Sequence, residues 1–380
     1  MAKKILIFST AYYPFVGGAE VAVKEITDRL KDTEFHLLTA KMDKKLPQQE
    51  KIGNVTVFRV GIGYPMIDKL LLAFYGYRIA INLHKKNNYD LVWSIMASYA
   101  GLAASKFKKV NPRVPFFLTL QEGDSHEYIQ KKTKFIKGQF KNIFKRADFI
   151  QCISFYLANW AKKMGAQCPI EVIPNGVDIE NFTQKFTKSD LTKLAQKLGK
   201  QPDDKFLVHT GRLTHKNGLE YLIKSLTYLP ENIKLLLIGG GEEESNFKKI
   251  ITERNLDERV IFLGFVDHKE ISKYLNVSDI FIRPSLSEGL GNSFLEAMAT
   301  KIPVIATPVG GIPDFLEDKE TGLFCQVKDA ESIAEKVKFL ISNPDLKDKL
   351  VQQAYQMVVE KYNWKMIAQD MKKLFNSYTK

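Results

Sequence analysis

The stretch DIFIRPSLSEGLGNSFLEAMATKIPVIATPVGG, residues Asp279–Gly311, places a glycine-rich turn and a helix-like segment between two short apolar runs. The runs DIFIRPS and PVIATPV have the composition of buried strands, and SFLEAMA has the apolar spacing of a helix. A strand, a helix and a second strand in this order are typical of a parallel sheet with crossover helices. The stretch therefore predicts an α/β fold.

The same alternation extends in both directions through the 380 residues. Strand-like runs such as KILIFST, FHLLTA, DLVWSIM and PFFLTL occupy the first half, and KFLVHTG, IKLLLIGG and VIFLGFV occupy the second. The chain is too long for one ordinary core, so two parallel sheets are expected. The break between them is predicted near VIPNGVDIENF, where Pro174, Asn175 and Gly176 interrupt the pattern.

Composition predicts a globular protein of a reducing compartment. Apolar residues make up 45% of the chain, and the three cysteines form no CxxC pair, which argues against a disulfide or zinc framework. No basic-then-apolar leader precedes the first strand pattern. The longest apolar run, Leu91–Ser105, is shorter than the ~18 residues of a membrane span. These features predict a cytoplasmic location.

Positive charge is concentrated in the first half of the chain. Residues 1–180 contain 27 Lys and Arg against 16 Asp and Glu, whereas residues 181–380 contain 29 against 27, giving a formal net charge of +13. Such asymmetry indicates an anionic partner of the first half, namely a membrane surface, a nucleic acid or an anionic substrate.

Glycine-rich turns follow several strand patterns, and ligands of parallel sheets bind at the carboxyl ends of the strands. PFVGGAE, residues Pro14–Glu20, follows the first strand, where glycines would allow close approach to a phosphate; a plain turn is the alternative. HTGRLTHKNGLE, residues His209–Glu220, carries Arg212 and Lys216 ahead of a helix. Cations gain nothing from a helix N-terminus, so a bound anion is the natural explanation.

The turn EGLGNSFLE contains two carboxylates, Glu288 and Glu296, on either side of a helix start formed by Leu290, Gly291 and Asn292. Backbone N–H groups at a helix start favour an anion. The carboxylates are expected on the order of 10 to 20 Å apart, too far for one shared proton or one metal. The span fits an elongated ligand with a central phosphate, such as a nucleotide-diphosphate sugar; a solvated loop residue and a surface helix residue are the alternative.

With these motifs, the sequence resembles the family 4 retaining glycosyltransferases of GT-B architecture over essentially the whole chain. The resemblance implies an α/β fold of two Rossmann-like domains with parallel sheets facing an interdomain cleft. It divides the chain into an acceptor domain (1–178), a nucleotide-sugar donor domain (179–362) and a C-terminal helix that crosses back to the first domain (363–380). The motifs that carry it are PFVGGAE, VIPNGVD, GRLTHKNG, LLLIGGG, VIFLGFV, EGLGNSFLE, LEAMATKIPVIATPVGG and ETGLF.

The resemblance also implies the reaction, a retaining transfer of a sugar from a UDP- or GDP-sugar to a hydroxyl acceptor, such as a lipid-linked or cell-envelope glycan. Arg212 and Lys216 would neutralise the departing diphosphate, and Glu288 would contact the donor sugar. No DxD sequence is present, so no metal cofactor is expected. The residues implied in donor binding are Gly17, Gly18, Gly239, Gly264, Phe265, Leu290, Gly291, Asn292 and Glu296, the last at the ribose.

One position departs from the family pattern. Family members commonly have a histidine after the strand that reads FFLTL here, and this chain has Gln121. Glutamine can hydrogen-bond a sugar hydroxyl but cannot titrate. Gln121, Glu122 and His126 are therefore the acceptor-side candidates, and a loop histidine without a role is the alternative for His126.

The segment 131–146, KKTKFIKGQFKNIFKR, is rich in Lys and Arg, lacks acids, and has apolar residues at helical spacing. This pattern predicts a basic amphipathic helix with Ile136, Phe140, Ile143 and Phe144 on one face. The hypothesis is peripheral attachment to an anionic membrane at its inner face, with KLLLAFYGY (Lys69–Tyr77) as a second apolar segment. The alternative is a core-facing helix with a solvated basic back.

Three other classes remain open at this point. A nucleic-acid-binding protein is disfavoured, because the chain prefers Lys to Arg and places its aromatics in apolar runs. A nucleotide-sugar-binding module that has lost catalysis, and an epimerase or phosphorylase of the same architecture, are the others. A soluble glycosyltransferase acting on small molecules or oligosaccharides is the alternative within the favoured class.

Overall fold

The computed structural model describes residues 2–378 of the 380. Residues 2–175 and 364–378 form one compact unit, and Gly176–Asn363 form a second. Residues 379 and 380, which belong to the predicted C-terminal helical segment, lie outside the described residues.

The strands fall into two sheets, one in each unit. The first sheet contains β1 (Lys3–Phe8), β2 (Thr33–Ala40), β3 (Gln49–Ile52), β4 (Val55–Val60), β5 (Leu91–Ile95), β6 (Phe116–Leu120), β7 (Phe149–Cys152) and β8 (Ile170–Val172). The second contains β9 (Lys205–Thr210), β10 (Ile233–Ile238), β11 (Val260–Gly264), β12 (Ile280–Arg283), β13 (Val304–Ala306) and β14 (Leu323–Phe324).

Helices connect most of the strands. The first unit contains α1 (Gly18–Arg29), α2 (Pro65–Asn87), α3 (Tyr99–Val110), α4 (His126–Lys132), α5 (Lys137–Arg146) and α6 (Phe155–Lys163). The second contains α7 (Ile179–Phe182), α8 (Lys188–Lys197), α9 (Leu219–Ser225), α10 (Glu244–Glu253), α11 (His268–Asn276), α12 (Asn292–Ala299), α13 (Ala330–Ser342) and α14 (Pro344–Lys361). The last helix, α15 (Trp364–Tyr378), belongs to the first unit.

The first sheet has the strand order β3-β4-β2-β1-β5-β6-β7-β8, and all its pairings are parallel except that of β3 with β4. Strands β5, β6 and β7 are buried along their whole length, as expected for a parallel sheet covered on both faces. On one face α15 packs beside α1, and the ring of Phe375 lies 5.1 Å from that of Trp93 in the sheet. Helix α15 is therefore part of the first core.

The second sheet is wholly parallel, with the order β11-β10-β9-β12-β13-β14. The chain builds outward from β9 through β10 to β11, then returns to the other side of β9 with β12. Strand order therefore reverses between β9 and β12, which is where open α/β sheets bind their ligands.

The prediction of two parallel α/β sheets is confirmed, but the prediction of one helix over 131–146 is wrong. Helix α4 ends at Lys132, a 3₁₀ turn follows, and α5 begins at Lys137. Phe140, Ile143 and Phe144 are buried, because α5 packs on α3, whereas Ile136 is only half-buried. The apolar face of this segment therefore belongs to the core. None of the helices within residues 2–378 has the length and apolarity needed to span a bilayer.

Candidate active site

Two loops meet at the carboxyl edge of the second sheet. The basic loop, Gly211–Gly218, follows β9, and the glycine loop, Glu288–Asn292, leads from β12 into α12. The Leu286 N–H donates to the Lys216 carbonyl at 2.7 Å. A Cβ at Gly218, whose φ is +68°, would lie 1.9 Å from the Pro284 carbonyl oxygen, so only glycine permits this approach. Close backbone packing thus joins the segments that follow β9 and β12.

The two cations predicted for the site both lie on the basic loop. The Arg212 side chain is exposed, and no carboxylate in the described part of the chain forms an ion pair with it. Lys216 is half-buried within a 3₁₀ turn. The Asn217 side-chain amide donates to the Arg212 carbonyl at 2.5 Å and so holds the loop closed. Arg212 therefore offers an unneutralised positive charge at the strand end.

Glu288 is held rigidly by its surroundings. Its side chain is buried, and its backbone carbonyl accepts from the Gly311 N–H at 3.2 Å. A Cβ at Gly310, where φ is +59°, would lie 1.8 Å from that same carbonyl oxygen, which explains the glycine after β13. The Gly289 N–H donates to Oε1 of Glu288 at 3.2 Å. The carboxylate is thus fixed in position by its own loop and by the next one.

Arg283, which the sequence analysis did not single out, links the two loops. Its guanidinium donates to Ser293 Oγ and to Asn217 Oδ1, each at 2.8 Å. It also forms an ion pair with Glu288 Oε2 at 2.7 Å, with both side chains almost fully buried. One guanidinium therefore contacts the basic loop, the glycine loop and the first turn of α12.

Buried polar atoms without hydrogen-bond partners in the described chain concentrate around this arginine. Such atoms are rare in folded proteins and frequently mark a site for a ligand or water. Burial, with a smaller contribution from the Arg283 charge, holds the pKa of His209 well below its usual range, so the imidazole is neutral. The atoms are both ring nitrogens of His209, the hydroxyls of Thr210, Thr214 and Ser285, and Nε of Arg283.

Helix α12 begins directly at this edge. Gly291 precedes it with φ +98°, Asn292 is its first residue, and Leu290 is buried beneath. Glu296 follows about one turn into the helix, and its Oε1 lies 2.9 Å from Nε2 of His268, an exposed residue at the start of α11. The predicted residues of the glycine loop and α12 thus lie together on one helix start.

The predicted base-binding residues follow the neighbouring strands β10 and β11. The Gly239 N–H donates to the Gly264 carbonyl at 2.8 Å. A Cβ at Gly239, whose φ is +126°, would lie 2.0 Å from the Gly211 carbonyl oxygen. Phe265 is 90% exposed immediately after β11. The ends of β9, β10 and β11 thus form a continuous backbone edge with one exposed aromatic ring.

The first unit holds the other predicted residues. Gly17 and Gly18 lie in an exposed turn at the start of α1, where the Gly17 N–H donates to the Glu20 carboxylate at 2.8 Å. A pocket lies at the carboxyl ends of β1 and β5 beside this turn. Its polar lining comes from Ser9, Thr10, Glu20, Lys69 and Ser98.

Gln121 and Glu122 follow β6 and are both buried. Gln121 Oε1 accepts from the Asn175 side-chain amide at 3.0 Å, and Glu122 Oε1 accepts from the Ala97 N–H at 2.6 Å. Burial raises the pKa of Glu122 to about 7. The position where family members commonly have a histidine is thus followed here by a carboxyl group that titrates near neutrality.

His126 is packed as an aromatic residue. Its ring stacks on Tyr156 with centroids 4.4 Å apart and on Trp160 with centroids 4.9 Å apart. Burial, helped by the Lys163 charge, lowers the pKa of His126 to about 4. The imidazole is therefore neutral at pH 7, and its stacking favours the structural alternative over an acid–base role.

The buried carboxyl of Glu122 makes the stability of the fold depend on pH. The unfolded chain loses this proton near pH 4.5, whereas the folded chain keeps it until about pH 7. Because the folded state binds more protons between these values, the free energy of unfolding falls as pH rises through this window, by about 3 kcal/mol at most. Replacing Glu122 with glutamine should remove that part of the slope.

Urea unfolding of the wild type and Glu122→Gln from pH 4.5 to 8 checks this expectation. Glu127→Gln, at an exposed position on α4, is the matched control and should follow the wild type. Parallel pH profiles for the wild type and Glu122→Gln would refute the raised pKa.

Residues 2–378 contain no cluster of three or more His, Cys, Asp or Glu side chains arranged to hold a metal ion. The groups assembled at the second sheet have the chemistry of an anion site. It consists of two basic side chains, a helix N-terminus and buried hydrogen-bonding groups.

Comparison with known proteins identifies the family. The family described as "Glycosyltransferase Family 4" matches residues 16–181, and "Glycosyl transferases group 1" matches residues 190–357. An uncharacterised glycosyltransferase of Methanocaldococcus jannaschii is 28% identical over 375 residues, or 97% of each chain. The lipopolysaccharide core biosynthesis glycosyltransferase LpsE of Rhizobium meliloti is 29% identical over 220 residues, covering 58% of this chain and 62% of LpsE.

Solved structures share the fold over the whole length. Sucrose-phosphate synthase from Thermosynechococcus elongatus has a TM-score of 0.86 and 21% identity, covering 99% of this chain and 98% of that one. Anabaena HepE in complex with UDP-glucose has a TM-score of 0.83 and 21% identity, covering 98% and 99%. The family and the fold class predicted from the sequence are thereby confirmed. This chain belongs to the family 4 glycosyltransferases and has the GT-B fold.

Proposed function

We propose that this glycosyltransferase moves a hexosyl group from a UDP- or GDP-sugar to a hydroxyl of a cell-envelope or lipid-linked glycan, with retention of configuration and without a metal. The observation that carries the proposal is the anion site between β9 and β12, where Arg212 and Lys216 share one sheet edge with the start of α12. The UDP-glucose complex of HepE supports the donor class, and LpsE supports the acceptor class.

Stabilisation of the leaving group is the main task of this site. Glycosyl transfer passes through an oxocarbenium-like state while negative charge develops on the departing diphosphate. Fixed positive groups are most effective where that charge develops. Arg212, Lys216 and the N–H groups of Leu290, Gly291 and Asn292 would bind the diphosphate. The acceptor hydroxyl would then attack from the face that the diphosphate leaves.

The rest of the donor would lie along the same edge. Glu288 would contact the sugar, and Glu296 would accept hydrogen bonds from the ribose hydroxyls. The exposed ring of Phe265 would stack on the base beside Gly239 and Gly264.

The two glutamates should therefore differ kinetically. Glu296→Ala is expected to raise KM for the donor about 10-fold with little loss of kcat, because ribose contacts are the same in ground and transition states. Glu288→Ala is expected to lower kcat about 10-fold or more, because it touches the reacting sugar. Steady-state kinetics with varied donor test this, and Glu253→Ala, at an exposed position at the end of α10, is the control. Equal, negligible effects at both positions would contradict the assignment.

The first unit would bind the acceptor, and the exposed turn at Gly17 and Gly18 would allow a phosphate to approach the backbone. Gln121 and Glu122 would contact acceptor hydroxyls, and Glu122 would serve as a proton acceptor of suitable pKa. His126 would support this region through packing. The free cysteines, two of them buried, are consistent with a cytoplasmic location. The Lys and Arg side chains of 131–146 would favour binding to an anionic inner leaflet.

Anomeric analysis of the product tests the reaction class. Purified protein is incubated with UDP-glucose or GDP-mannose and a panel of hydroxyl acceptors in EDTA, and the anomeric proton coupling is read by NMR. A product with the donor's configuration supports the proposal. An inverted product, or turnover only with added metal, would contradict it. Donor binding without transfer or hydrolysis would indicate a degenerate binding module.

A further inference from the structure

One face of α2 exposes large apolar side chains to solvent. We define the α2 face as Ile62, just before the helix, together with Met66, Ile67, Leu70, Phe74 and Tyr75. Their exposed fractions range from 43% for Leu70 to 63% for Met66. Residues 66, 70 and 74 follow each other at four-residue spacing, so they share one side of the helix. Contiguous apolar patches of this kind mark interaction surfaces in soluble proteins.

The opposite side of α2 is already committed to the core. Leu72, Ala73, Gly76 and Ala80 are buried. A Cβ at Gly76 would lie 3.3 Å from Ala103 of α3, so the helix packs as closely as its backbone allows. Helix α2 cannot rotate its exposed residues inward without losing this packing.

The loop before α2 is fixed rather than loose. Asp68 is fully buried and accepts hydrogen bonds from the N–H groups of Met42, Ile62, Gly63 and Tyr64, at 2.7 to 3.0 Å. One buried carboxylate therefore holds the backbone that presents Ile62. The apolar surface is built into the fold.

The charges around the α2 face are positive. The only acid in residues 61–87 is Asp68, which is buried, whereas Lys69, Arg78, Lys85 and Lys86 are all basic. Two further lysines lie over aromatic rings at this side of the unit. Lys44 Nζ is 4.4 Å from the Tyr64 centroid, and Lys106 Nζ is 4.6 Å from the Phe74 centroid.

We propose that the α2 face docks on a bilayer containing anionic lipids, with its apolar side chains at the acyl boundary and its lysines at the headgroups. An apolar patch with a basic border, and with no exposed carboxylate within residues 61–87, has the chemistry of an interfacial membrane surface. A second copy of the same chain fits less well, because an isologous contact would bring basic borders together without an acidic partner.

What membrane docking implies for the acceptor rests on the proposed function. Lys69 lies on α2 and also lines the pocket at the carboxyl ends of β1 and β5. Docking through the α2 face would bring that pocket close to the headgroup layer, where the hydroxyl of a lipid-anchored acceptor is presented. The acceptor class is thereby narrowed to lipid-linked glycans.

The α2 face overlaps the second apolar segment predicted from the sequence, Lys69–Tyr77, and not the segment 131–146. Three of the apolar residues of 131–146 are in the core, whereas Phe135 is 94% exposed and Ile136 is half-buried. Helix α3 packs against both α2 and α5, so the basic side chains of α5 lie on the same side of the first sheet as the α2 face. These basic side chains would attract the protein to anionic lipids but would not insert into the bilayer.

Vesicle sedimentation tests the proposal with the full chain. The probes are phosphatidylcholine vesicles with and without 30% phosphatidylglycerol, mixed with the wild type and with Met66→Ser/Leu70→Ser/Phe74→Ser. The wild type is expected to bind the anionic vesicles, and the triple variant about 10-fold or more weakly. The matched control, Tyr228→Ser/Phe339→Ser/Ile341→Ser, removes three exposed apolar residues of the second unit and should bind like the wild type.

Two further measurements keep the outcomes distinct. Donor titration of each variant by calorimetry checks that the fold and the second unit are intact. Vesicle binding without donor binding would contradict the proposed function and leave the surface standing; donor binding without vesicle binding would overturn the surface alone. Undiminished vesicle binding by the Met66/Leu70/Phe74 variant would also overturn it. A wild-type dimer that the triple variant converts to a monomer would assign the face to a second copy.

Discussion

Replacing Arg212 or Lys216 with alanine is expected to lower kcat by about 10²- to 10³-fold. Both residues lie on the basic loop, which follows β9 at the point where strand order reverses. Negative charge on a departing diphosphate is largest in the transition state, so a cation held there contributes more to turnover than to ground-state binding. Arg212→Lys should recover part of the loss, because it restores charge without the bidentate geometry of a guanidinium.

Steady-state and single-turnover kinetics measure these losses. Arg254→Ala removes an exposed arginine at the end of α10 in the same unit and should leave kcat unchanged. A loss below about 5-fold in both Arg212→Ala and Lys216→Ala would mean that neither cation meets the leaving group.

Arg283→Met is expected to lower the free energy of unfolding by about 3 to 5 kcal/mol, because it leaves the Glu288 carboxylate buried without its ion-pair partner. Turnover should also fall, since the guanidinium positions Asn217, Ser293 and Glu288 together. Chemical unfolding and donor kinetics measure the two effects, with Arg254→Met as the matched control.

A double variant separates the structural role of Arg283 from its positioning role. Arg283→Met/Glu288→Gln removes the buried charge as well as its partner, so most of the stability should return. Turnover should stay below that of Glu288→Gln alone, because the link between the basic loop and the glycine loop is still missing. Stability close to the wild type together with turnover equal to that of Glu288→Gln would show that Arg283 acts only through stability.

The fold was predictable because strand and helix patterns alternate clearly along the chain. Strands β5, β6 and β7 are mostly apolar and are wholly buried, as the sequence pattern predicts. Strand β3, QEKI, could not be predicted in this way, because it is a polar edge strand, paired antiparallel to β4 and largely exposed. Its conformation comes from its neighbour, which a local pattern does not reveal.

The segment 131–146 shows the limit of helical periodicity. The apolar spacing correctly predicts that Phe140, Ile143 and Phe144 share one helix face. Periodicity does not say, however, whether that face meets lipid or protein. In the structure this helix face meets protein, because a Cβ at Gly101 of α3 would lie 3.2 Å from Ile143. The partner of α5 is a helix that already ends at Val110, far from α5 in the sequence.

The basic loop and the glycine loop could be located from the sequence, whereas the residues that join the two loops could not. Arg283 and Asn217 are 66 positions apart and meet only because β12 pairs with β9. A polar residue at the end of an apolar strand was the available signal, and both His209 and Arg283 carry it. Choosing them required the strand order, which depends on pairings across the sheet.

Calorimetric titration in EDTA of the wild type and Arg212→Ala with UDP-, GDP- and ADP-sugars tests the central claim most directly. The account predicts that the wild type binds one class of sugar nucleotide without a metal, and that Arg212→Ala binds it about 10-fold or more weakly. Equal affinity in the two proteins, or binding by the wild type only after a divalent metal is restored, would contradict the assignment of the diphosphate to the basic loop.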